Sequence, residues 1–298
     1  MIKILKIEDK NTLRLDKYLK IKFSALTQSF IEKNIRKKNI LVNNSRTSAK
    51  YIIKENDLVK ILNFHSDLYK NKITFKKNIL IPRKTSELFK KSIIYQDRNF
   101  MILNKWSTIA TQGGSKINIS IDDIIKSISP DYRLVHRLDK DTSGLLIIAK
   151  NLNSAIIFGK LFKSSLIEKT YVALCEGKPK QKESNVLLDI KNKEDKIEHT
   201  KTHYKILDVQ NNISLIQYKP LTGKTHQLRI VSKNLGCSII GDNKYNGYSK
   251  FNNEDLKLNA YNLKFIFNDK KYEFFSELSK DFYYFLKKHK FKDLKRYT

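Results

Sequence analysis

Residues 135–150 read VHRLDKDTSGLLIIAK, and this stretch decides the fold of the chain. Its first half is a dense polar cluster, and its second half, residues 145–149, is an uninterrupted apolar run. A short, isoleucine-rich run bounded by Gly144 and Lys150 is typical of a buried β-strand. A polar cluster tied to a buried strand holds reactive side chains in fixed positions. Residues 136–142 are therefore the candidate functional segment.

The polar cluster resembles the catalytic motif of the RluA/RluC/RluD family of RNA pseudouridine synthases. The matching residues are His-Arg-Leu-Asp at 136–139 and Asp-Thr-Ser-Gly at 141–144. The resemblance implies that Asp139 is the catalytic residue. It also implies that Arg137 fills the space that a target base vacates when it leaves the RNA stack. Without the resemblance, the segment fits better as a basic surface loop before a strand, with a solvated ion pair between Arg137 and Asp139.

Two later segments resemble further motifs of the same family. Lys-x-Tyr-x-Ala at 169–173 implies that Tyr171 lies in the active site, where a ring can stack on an extruded base. Gly-Lys-Thr-His-Gln-Leu-Arg at 223–229 implies that Arg229 is the partner of Asp139. A guanidinium beside a carboxylate keeps it ionised and fixes its direction. A lone strand tyrosine or helix arginine is otherwise usually structural.

Weaker matches extend the resemblance along the chain. Ala-Thr-Gln-Gly-Gly at 110–114 is closest to the RluC branch, whose substrate is large-subunit rRNA, and Gly-Asp-x-x-Tyr at 241–245 matches a following segment. One position departs from the family, because Trp106 follows Lys105 where a proline is usual. We expect either a different loop path there or a local pocket filled by the indole.

Residues 1–62 form a separable basic unit with 15 Lys and Arg against 6 Asp and Glu. Apolar residues at helical spacing predict two short helices, the second capped by Thr27 or Ser29. The unit resembles the alpha-L RNA-binding domain, although asparagines at 39, 44 and 56 replace the usual glycines. Asparagine tolerates left-handed backbone, so the turns are expected to survive. The resemblance and the charge predict an RNA-binding face that includes Arg14, Lys17, Arg36 and Lys37.

The predicted fold class is α+β. A small helix-rich N-terminal domain at 1–62 and a linker at 63–90 precede a catalytic domain at 91–298. That domain is expected to contain a mixed, largely antiparallel β-sheet flanked by helices. Residues 178–196 are charged and lack periodicity, which predicts a surface excursion.

The composition favours a polyanionic partner and argues against several other classes. The 298 residues carry a net charge of +29, which attracts nucleic acid, although richness in Lys, Asn and Ile is also typical of AT-rich genomes. Cys175 and Cys237 fit no disulfide or zinc pattern, and His199 and His203 lack nearby ligands, so no metal is expected. No apolar run is long enough for a membrane span. We expect a cytoplasmic monomer.

The reaction implied by the resemblance is isomerisation of specific uridines to pseudouridine in large-subunit, 23S-type rRNA, with flipping of the target base. It involves no redox change and no net hydrolysis, so no cofactor is expected. Asp139 would act as a nucleophile or as the base that assists glycal formation, and the sequence leaves both routes open. Two other functions also remain open: a non-catalytic RNA-binding or ribosome-assembly factor, and an RNA glycosidase that releases free uracil.

Overall fold

The computed structural model describes residues 1–8, 13–69, 80–114, 117–192, 194–246, 249–251 and 253–296. The chain divides into two compact units, Met1–Asn78 and Ile79–Thr298. The boundary between the two units falls within the predicted linker at 63–90, so that part of the linker belongs to each unit. Tyr69 packs in the core of the first unit and Phe89 in that of the second. The central part of the predicted linker, 70–79, lies outside the described residues.

The first unit has a three-stranded antiparallel sheet, in the order β1-β3-β2, and two helices. The second helix begins as predicted, because the Thr27 hydroxyl accepts the backbone N–H of Phe30. Both helices turn apolar residues into one core, which includes Leu15, Leu19 and Ile31. The elements are β1 (Lys3–Lys6), α1 (Leu15–Lys22), α2 (Gln28–Arg36), β2 (Ile40–Val42) and β3 (Leu58–Ile61).

The asparagine turns are confirmed at two of their three positions. Asn44 and Asn56 have φ of 62° and 69°, so each occupies the left-handed region that glycine would otherwise fill. The expectation is wrong at Asn39. There Lys38 takes the left-handed conformation, with φ of 62°, directly after α2.

The second unit is built on one large sheet with helices packed against it. Its elements are α3 (Arg83–Ser92), β4 (Ile93–Gln96), β5 (Phe100–Lys105), α4 (Ile121–Ile128), β6 (Arg133–Leu134), β7 (Ser143–Ala149), α5 (Leu152–Lys163), β8 (Glu168–Glu176), β9 (Glu183–Lys191), β10 (Ile197–Gln210), β11 (Ile213–Pro220), α6 (Gln227–Asn234), β12 (Leu258–Phe267), β13 (Lys270–Phe275), α7 (Lys280–Lys288) and a short 3₁₀ helix at Leu294–Arg296.

The strand order is β4-β5-β7-β12-β8-β11-β10-β9, with β13 beside β12 and β6 beside β7. Among the described strands, β7 and β12 run parallel and all other pairs are antiparallel. The fold class is therefore α+β with a mixed, largely antiparallel sheet, as predicted.

The apolar run of the opening stretch forms β7, and all seven of its residues are buried. Leu146 and Ile148 face a cluster that contains Ile121 and Ile124 of α4. Leu145 and Ile147 face the opposite cluster, which contains Phe158 of α5. Because a helix covers each face, both sets of alternate side chains are apolar, and the strand reads as a continuous hydrophobic run.

The predicted surface excursion at 178–196 is wrong, because residues 183–191 form β9. This strand lies at the edge of the sheet and pairs with β10 alone. Val186, Leu188 and Ile190 do alternate toward the more buried face of this strand. Leu187 between them is exposed and apolar, which obscures the alternation in the sequence.

Within the described ranges, no helix is both long enough and apolar enough to span a lipid bilayer.

Candidate active site

A cavity of about 110 Å³ brings the three predicted catalytic residues together. Asp139 comes from the loop before β7, Tyr171 from β8 and Arg229 from α6, and all three line the same space. Leu138, Leu228 and Leu258 add apolar surface. A neighbouring cavity of about 620 Å³ shares Asp139, Arg229 and His226 with the first, so these side chains stand between two spaces.

The sheet register explains why the loop and β8 meet. Ala260 on β12 pairs with Gly144 on one side and with Tyr171 on the other. Gly144 has φ of +110°, and a Cβ there would lie 2.4 Å from the carbonyl oxygen of Ala260. Only glycine fits this close approach, which lets the polar loop end directly beside β12.

The backbone on both sides of Asp139 is held by one side chain from the end of β5 and one from the loop that follows it. The Thr111 hydroxyl donates to the Leu138 carbonyl at 2.7 Å and accepts the Leu138 N–H at 3.1 Å. The Lys105 amine donates to the Lys140 carbonyl at 3.1 Å. Asp139 therefore sits between two anchored peptide groups, which limits the directions that its side chain can take.

Lys105 is almost fully buried, and its amine also donates to the carbonyls of Trp106 and Ile109, both at 3.0 Å. Burial lowers the pKa of Lys105 to about 7, against the opposing effect of the Asp141 and Asp139 charges. Three carbonyl acceptors match the three N–H donors of an ammonium group. Trp106, the departure from the family pattern, keeps this arrangement and packs its indole against the adjoining core.

His136, the first residue of the motif, has a structural position. Its Nε2 accepts the backbone N–H of Ile147 at 2.8 Å, and its ring stacks on Phe162 with centroids 4.7 Å apart. Burial, assisted by the charge of Lys169, lowers the pKa of His136 to about 3. The imidazole is therefore neutral at physiological pH and fastens the start of the motif to β7.

Asp139 is half-buried, with 31% of its side chain exposed. The His226 imidazole lies close to it, with Nε2 3.9 Å from Oδ2 of Asp139. Burial lowers the pKa of His226, against the opposing effect of the Asp139 charge. His226 precedes α6 with φ of 54°, a conformation that few non-glycine residues adopt. Its Nδ1 lies 3.0 Å from the Tyr245 hydroxyl. His226 belongs to the motif at 223–229, but the sequence does not predict its position near Asp139. No rule of residue spacing connects the two residues.

The expected direct pairing of Arg229 with Asp139 is wrong. Arg229 is bound by Asp242, with Nε to Oδ2 at 2.8 Å and a terminal nitrogen to Oδ1 at 2.5 Å. No ion pair within 4 Å joins Arg229 to Asp139 among the residues that the structure describes. Burial alone would lower the pKa of Arg229, but Asp242 and then Asp139 raise it, so the Asp139 charge acts on the guanidinium from a longer distance.

Tyr171 is partly buried and faces the same cavity. Burial, and then the charge of Asp139, raises the pKa of Tyr171 well above its usual value. Its hydroxyl therefore stays protonated at neutral pH, and can donate a hydrogen bond beside an apolar ring face.

Gln227 also lines the cavity and holds the loop that precedes α6. Its amide oxygen accepts the Thr222 hydroxyl at 2.9 Å and the Lys224 backbone N–H at 3.0 Å. Its amide nitrogen donates to the Thr202 hydroxyl at 2.9 Å. The loop at 220–226 is thus tied to β10 through Gln227.

The predicted RNA-binding residues occupy different settings. Arg137 is exposed and lines the cavity, so it is available to an RNA strand. In the first unit Lys17, Arg36 and Lys37 are exposed. Arg14 instead forms an ion pair with the buried Asp16 at 2.6 Å, which leaves its guanidinium partly engaged.

The residues considered for metal binding have other partners. Nδ1 of His199 lies 2.6 Å from Asp189, and Nε2 of His203 lies 3.0 Å from Glu183. Within the described part of the chain, no group of three or more His, Cys, Asp or Glu side chains is arranged to hold a metal ion.

Comparisons with known proteins agree with this geometry. Residues 99–234 match the family model for RNA pseudouridylate synthase, and residues 13–59 match the S4 domain. "Ribosomal large subunit pseudouridine synthase C" of Rickettsia bellii is 39% identical over 262 residues, covering 80% of this chain and 86% of that protein. The protein of the same name from Vibrio parahaemolyticus is 32% identical, covering 87% and 86%.

A solved structure supports the same fold. "Human RNA Pseudouridylate Synthase Domain Containing 4" superposes with a TM-score of 0.63 at 22% identity, covering 74% of this chain and 99% of that one. The identity and coverage of the bacterial relatives go further than fold, because they extend over most of both chains. This chain belongs to the RNA pseudouridylate synthase family.

Proposed function

We propose that this protein isomerises specific uridines to pseudouridine in large-subunit ribosomal RNA, with Asp139 as the catalytic residue. The observation that carries the proposal is the common cavity of Asp139, Tyr171 and Arg229 in a member of this family. The relatives' printed names support large-subunit rRNA as the substrate. The matched S4 domain and the net charge of +29 support binding to RNA.

The reaction balances within one nucleotide. The bond between C1′ of the ribose and N1 of uracil breaks, the base turns, and C5 bonds to C1′. The proton leaves C5, and N1 ends protonated. Asp139 either attacks C1′ and forms a covalent intermediate, or removes the 2′ proton so that a glycal forms. Either route needs a carboxylate of fixed direction, which the anchored peptides on both sides of Asp139 provide. No cofactor is needed for this isomerisation.

The other residues position the base and the RNA. Tyr171 offers a ring for stacking and a protonated hydroxyl for hydrogen bonding. Arg229, oriented by Asp242, contributes positive charge near Asp139. Arg137 at the cavity rim is suited to fill the space left by a flipped base. Lys17, Arg36, Lys37 and the exposed part of Arg14 would contact RNA phosphates through the first unit.

A monomer is the proposed active form, because Asp139, Tyr171 and Arg229 come from separate elements of the same chain and need no second copy to meet. The cytoplasm is the proposed location, because the substrate is ribosomal RNA and both cysteines are buried as free thiols.

Pseudouridine mapping in the large-subunit rRNA of cells that lack this protein tests the proposal. We expect one or more pseudouridines to disappear, and to return with the wild-type protein and with the exposed-site control Asp131→Asn, but not with Asp139→Asn. An unchanged pseudouridine map would reject the activity. Restoration by Asp139→Asn would instead indicate a non-catalytic assembly role.

A further inference from the structure

Lys169 lines the cavity, and no described residue forms an ion pair or hydrogen bond with its amine. Lys169 precedes Tyr171 by two residues on β8, so both side chains lie on the same face of the strand and line the cavity. A Cβ placed on Gly223 would have the Lys169 amine as its nearest neighbour, at 4.0 Å. The amine therefore lies beside the loop that contains Gly223, where a molecule that enters the cavity can contact it.

Two of the other cations that line the cavity have a carboxylate partner, and the remaining one, Arg137, is exposed to solvent. The Lys224 amine lies 3.2 Å from Glu198, and Arg229 is bound by Asp242. Lys169 has no ion-pair partner among the described residues, and burial lowers its pKa with no acid to oppose the shift. The charge of Lys169 also lowers the pKa of His136, which is neutral and supplies no counter-charge.

A half-buried amine without a counter-ion is unfavourable in the free protein, unless a ligand supplies the missing charge. Uracil and ribose are neutral, so the phosphate is the group of a uridine nucleotide that carries negative charge. Residues two apart on a strand are separated by roughly 7 Å, so Tyr171 and Lys169 can reach different parts of one nucleotide. Tyr171 would face the base, and Lys169 the backbone beside it.

We propose that Lys169 binds a backbone phosphate adjacent to the flipped uridine, and so anchors the nucleotide while its base turns. This inference rests on the proposed function for the identity of the ligand. It adds a phosphate site inside the cavity, separate from the basic surface of the first unit. Lys169 is a binding residue in this account, and it takes no part in bond making.

The test is a binding cycle that does not depend on turnover. The probe is a short single-stranded RNA with one uridine between adenosines, unmodified or with a neutral methylphosphonate directly 5′ or 3′ of the uridine. Affinities are measured by fluorescence anisotropy for Asp139→Asn protein carrying Lys169, Lys169→Met or Lys169→Arg. The exposed lysine of β9 gives a matched control, Lys191→Met. Thermal unfolding of each variant checks that it is folded.

With Lys169 present, we expect one of the two methylphosphonates to weaken binding about tenfold, as for loss of a charge-assisted hydrogen bond. Lys169→Met should weaken binding of the unmodified RNA by a similar factor. The affinity of this variant should then be the same for the unmodified RNA and for the RNA with that methylphosphonate. Lys169→Arg should retain the sensitivity. The slope of log affinity against log salt should become shallower by about 0.7 in Lys169→Met, and stay unchanged in Lys191→Met.

The inference would be overturned if Lys169→Met and each methylphosphonate reduced the RNA affinity by independent factors that multiply when combined. It would also be overturned if the folded Lys169→Met protein bound the unmodified RNA with wild-type affinity. Because the readout is binding, the two proposals fail separately. A protein that shows the coupling but forms no pseudouridine rejects the function and keeps the phosphate site. A protein that forms pseudouridine in rRNA but lacks the coupling between Lys169 and the phosphate supports the function and rejects the phosphate site.

Discussion

Asp242 binds Arg229 through both carboxylate oxygens, and its side chain is completely buried. The same carboxylate accepts the backbone N–H groups of Lys244 and Tyr245, at 3.0 Å and 3.1 Å. Arg229 therefore has a fixed direction before any RNA binds. Its charge reaches Asp139 from that position, while His226 stands nearer to the carboxylate.

Asp242→Asn should destabilise the protein strongly, because it leaves a buried guanidinium without a counter-charge. We expect the free energy of unfolding at pH 7 to fall by about 3–5 kcal/mol, measured by urea denaturation. Asp131→Asn, at an exposed site, should change it by less than about 0.5 kcal/mol. Burial alone would raise the pKa of Asp242, but Arg229 and the two N–H groups lower it below its usual value.

Because the folded pKa of Asp242 is below that of the unfolded chain, its stabilising effect is complete above about pH 4 and is lost at lower pH. The stabilities of the wild type and Asp242→Asn should therefore converge below about pH 4. A constant difference down to the lowest pH at which both proteins fold would contradict this account of the pair.

His136→Gln tests the structural position of the first motif residue. Glutamine can accept the Ile147 N–H but does not titrate. In the wild type the folded pKa is about 3, below the unfolded value, so only the unfolded chain takes up a proton as the pH falls through 6.5. The wild type should lose roughly 2 kcal/mol of stability relative to His136→Gln between pH 7 and pH 5. Parallel stability profiles over this range would show that His136 titrates normally.

Gly144→Ala should disrupt the contact between β7 and β12, since the new methyl would collide with the backbone of Ala260. We expect a loss of roughly 3 kcal/mol in the free energy of unfolding, together with reduced activity. Gly159 on α5 provides the matched control, because a Cβ there meets no atom within 4 Å. Gly159→Ala should stabilise the protein by about 0.5–1 kcal/mol. Equal effects of the two substitutions would contradict the close approach at Gly144.

Lys105→Met removes the amine that holds the Lys140 carbonyl and leaves a side chain of similar length. The peptide group between Lys140 and Asp141, one residue beyond Asp139, should then move more freely. We expect kcat for pseudouridine formation to fall about tenfold to hundredfold, with KM within about twofold, because positioning is lost while RNA contacts remain. Lys163→Met, at an exposed position of α5, should leave both constants unchanged. A kcat within twofold of wild type would argue against an anchoring role for Lys105.

The sequence was informative where local pattern and long-range structure agree. The apolar run at 145–149 identifies a strand because it is buried on both faces, and the motifs identify Asp139, Tyr171 and Arg229 as neighbours in one cavity. The edge strand β9 was missed because the exposed Leu187 obscures the alternation of Val186, Leu188 and Ile190, and because charged residues surround this short pattern.

The partners within the site were harder to predict. Asp242 belongs to the Gly-Asp-x-x-Tyr segment at 241–245. The spacing of residues along the chain does not predict that its carboxylate binds Arg229, which lies on α6. The anchoring roles of Lys105 and Thr111 likewise depend on how separate loops pack. Such contacts follow from tertiary structure, which residue spacing along the chain does not determine.

The most direct test of the central claim is a single-turnover assay with purified protein. Its substrate is large-subunit rRNA from cells that lack the protein, and wild type, Asp139→Asn and Asp131→Asn are compared for pseudouridine formed and for RNA affinity. The account predicts that Asp139→Asn forms no pseudouridine above background while it binds RNA within about twofold of wild type, and that Asp131→Asn behaves as wild type. Pseudouridine formation by Asp139→Asn at a rate close to that of wild type would contradict it.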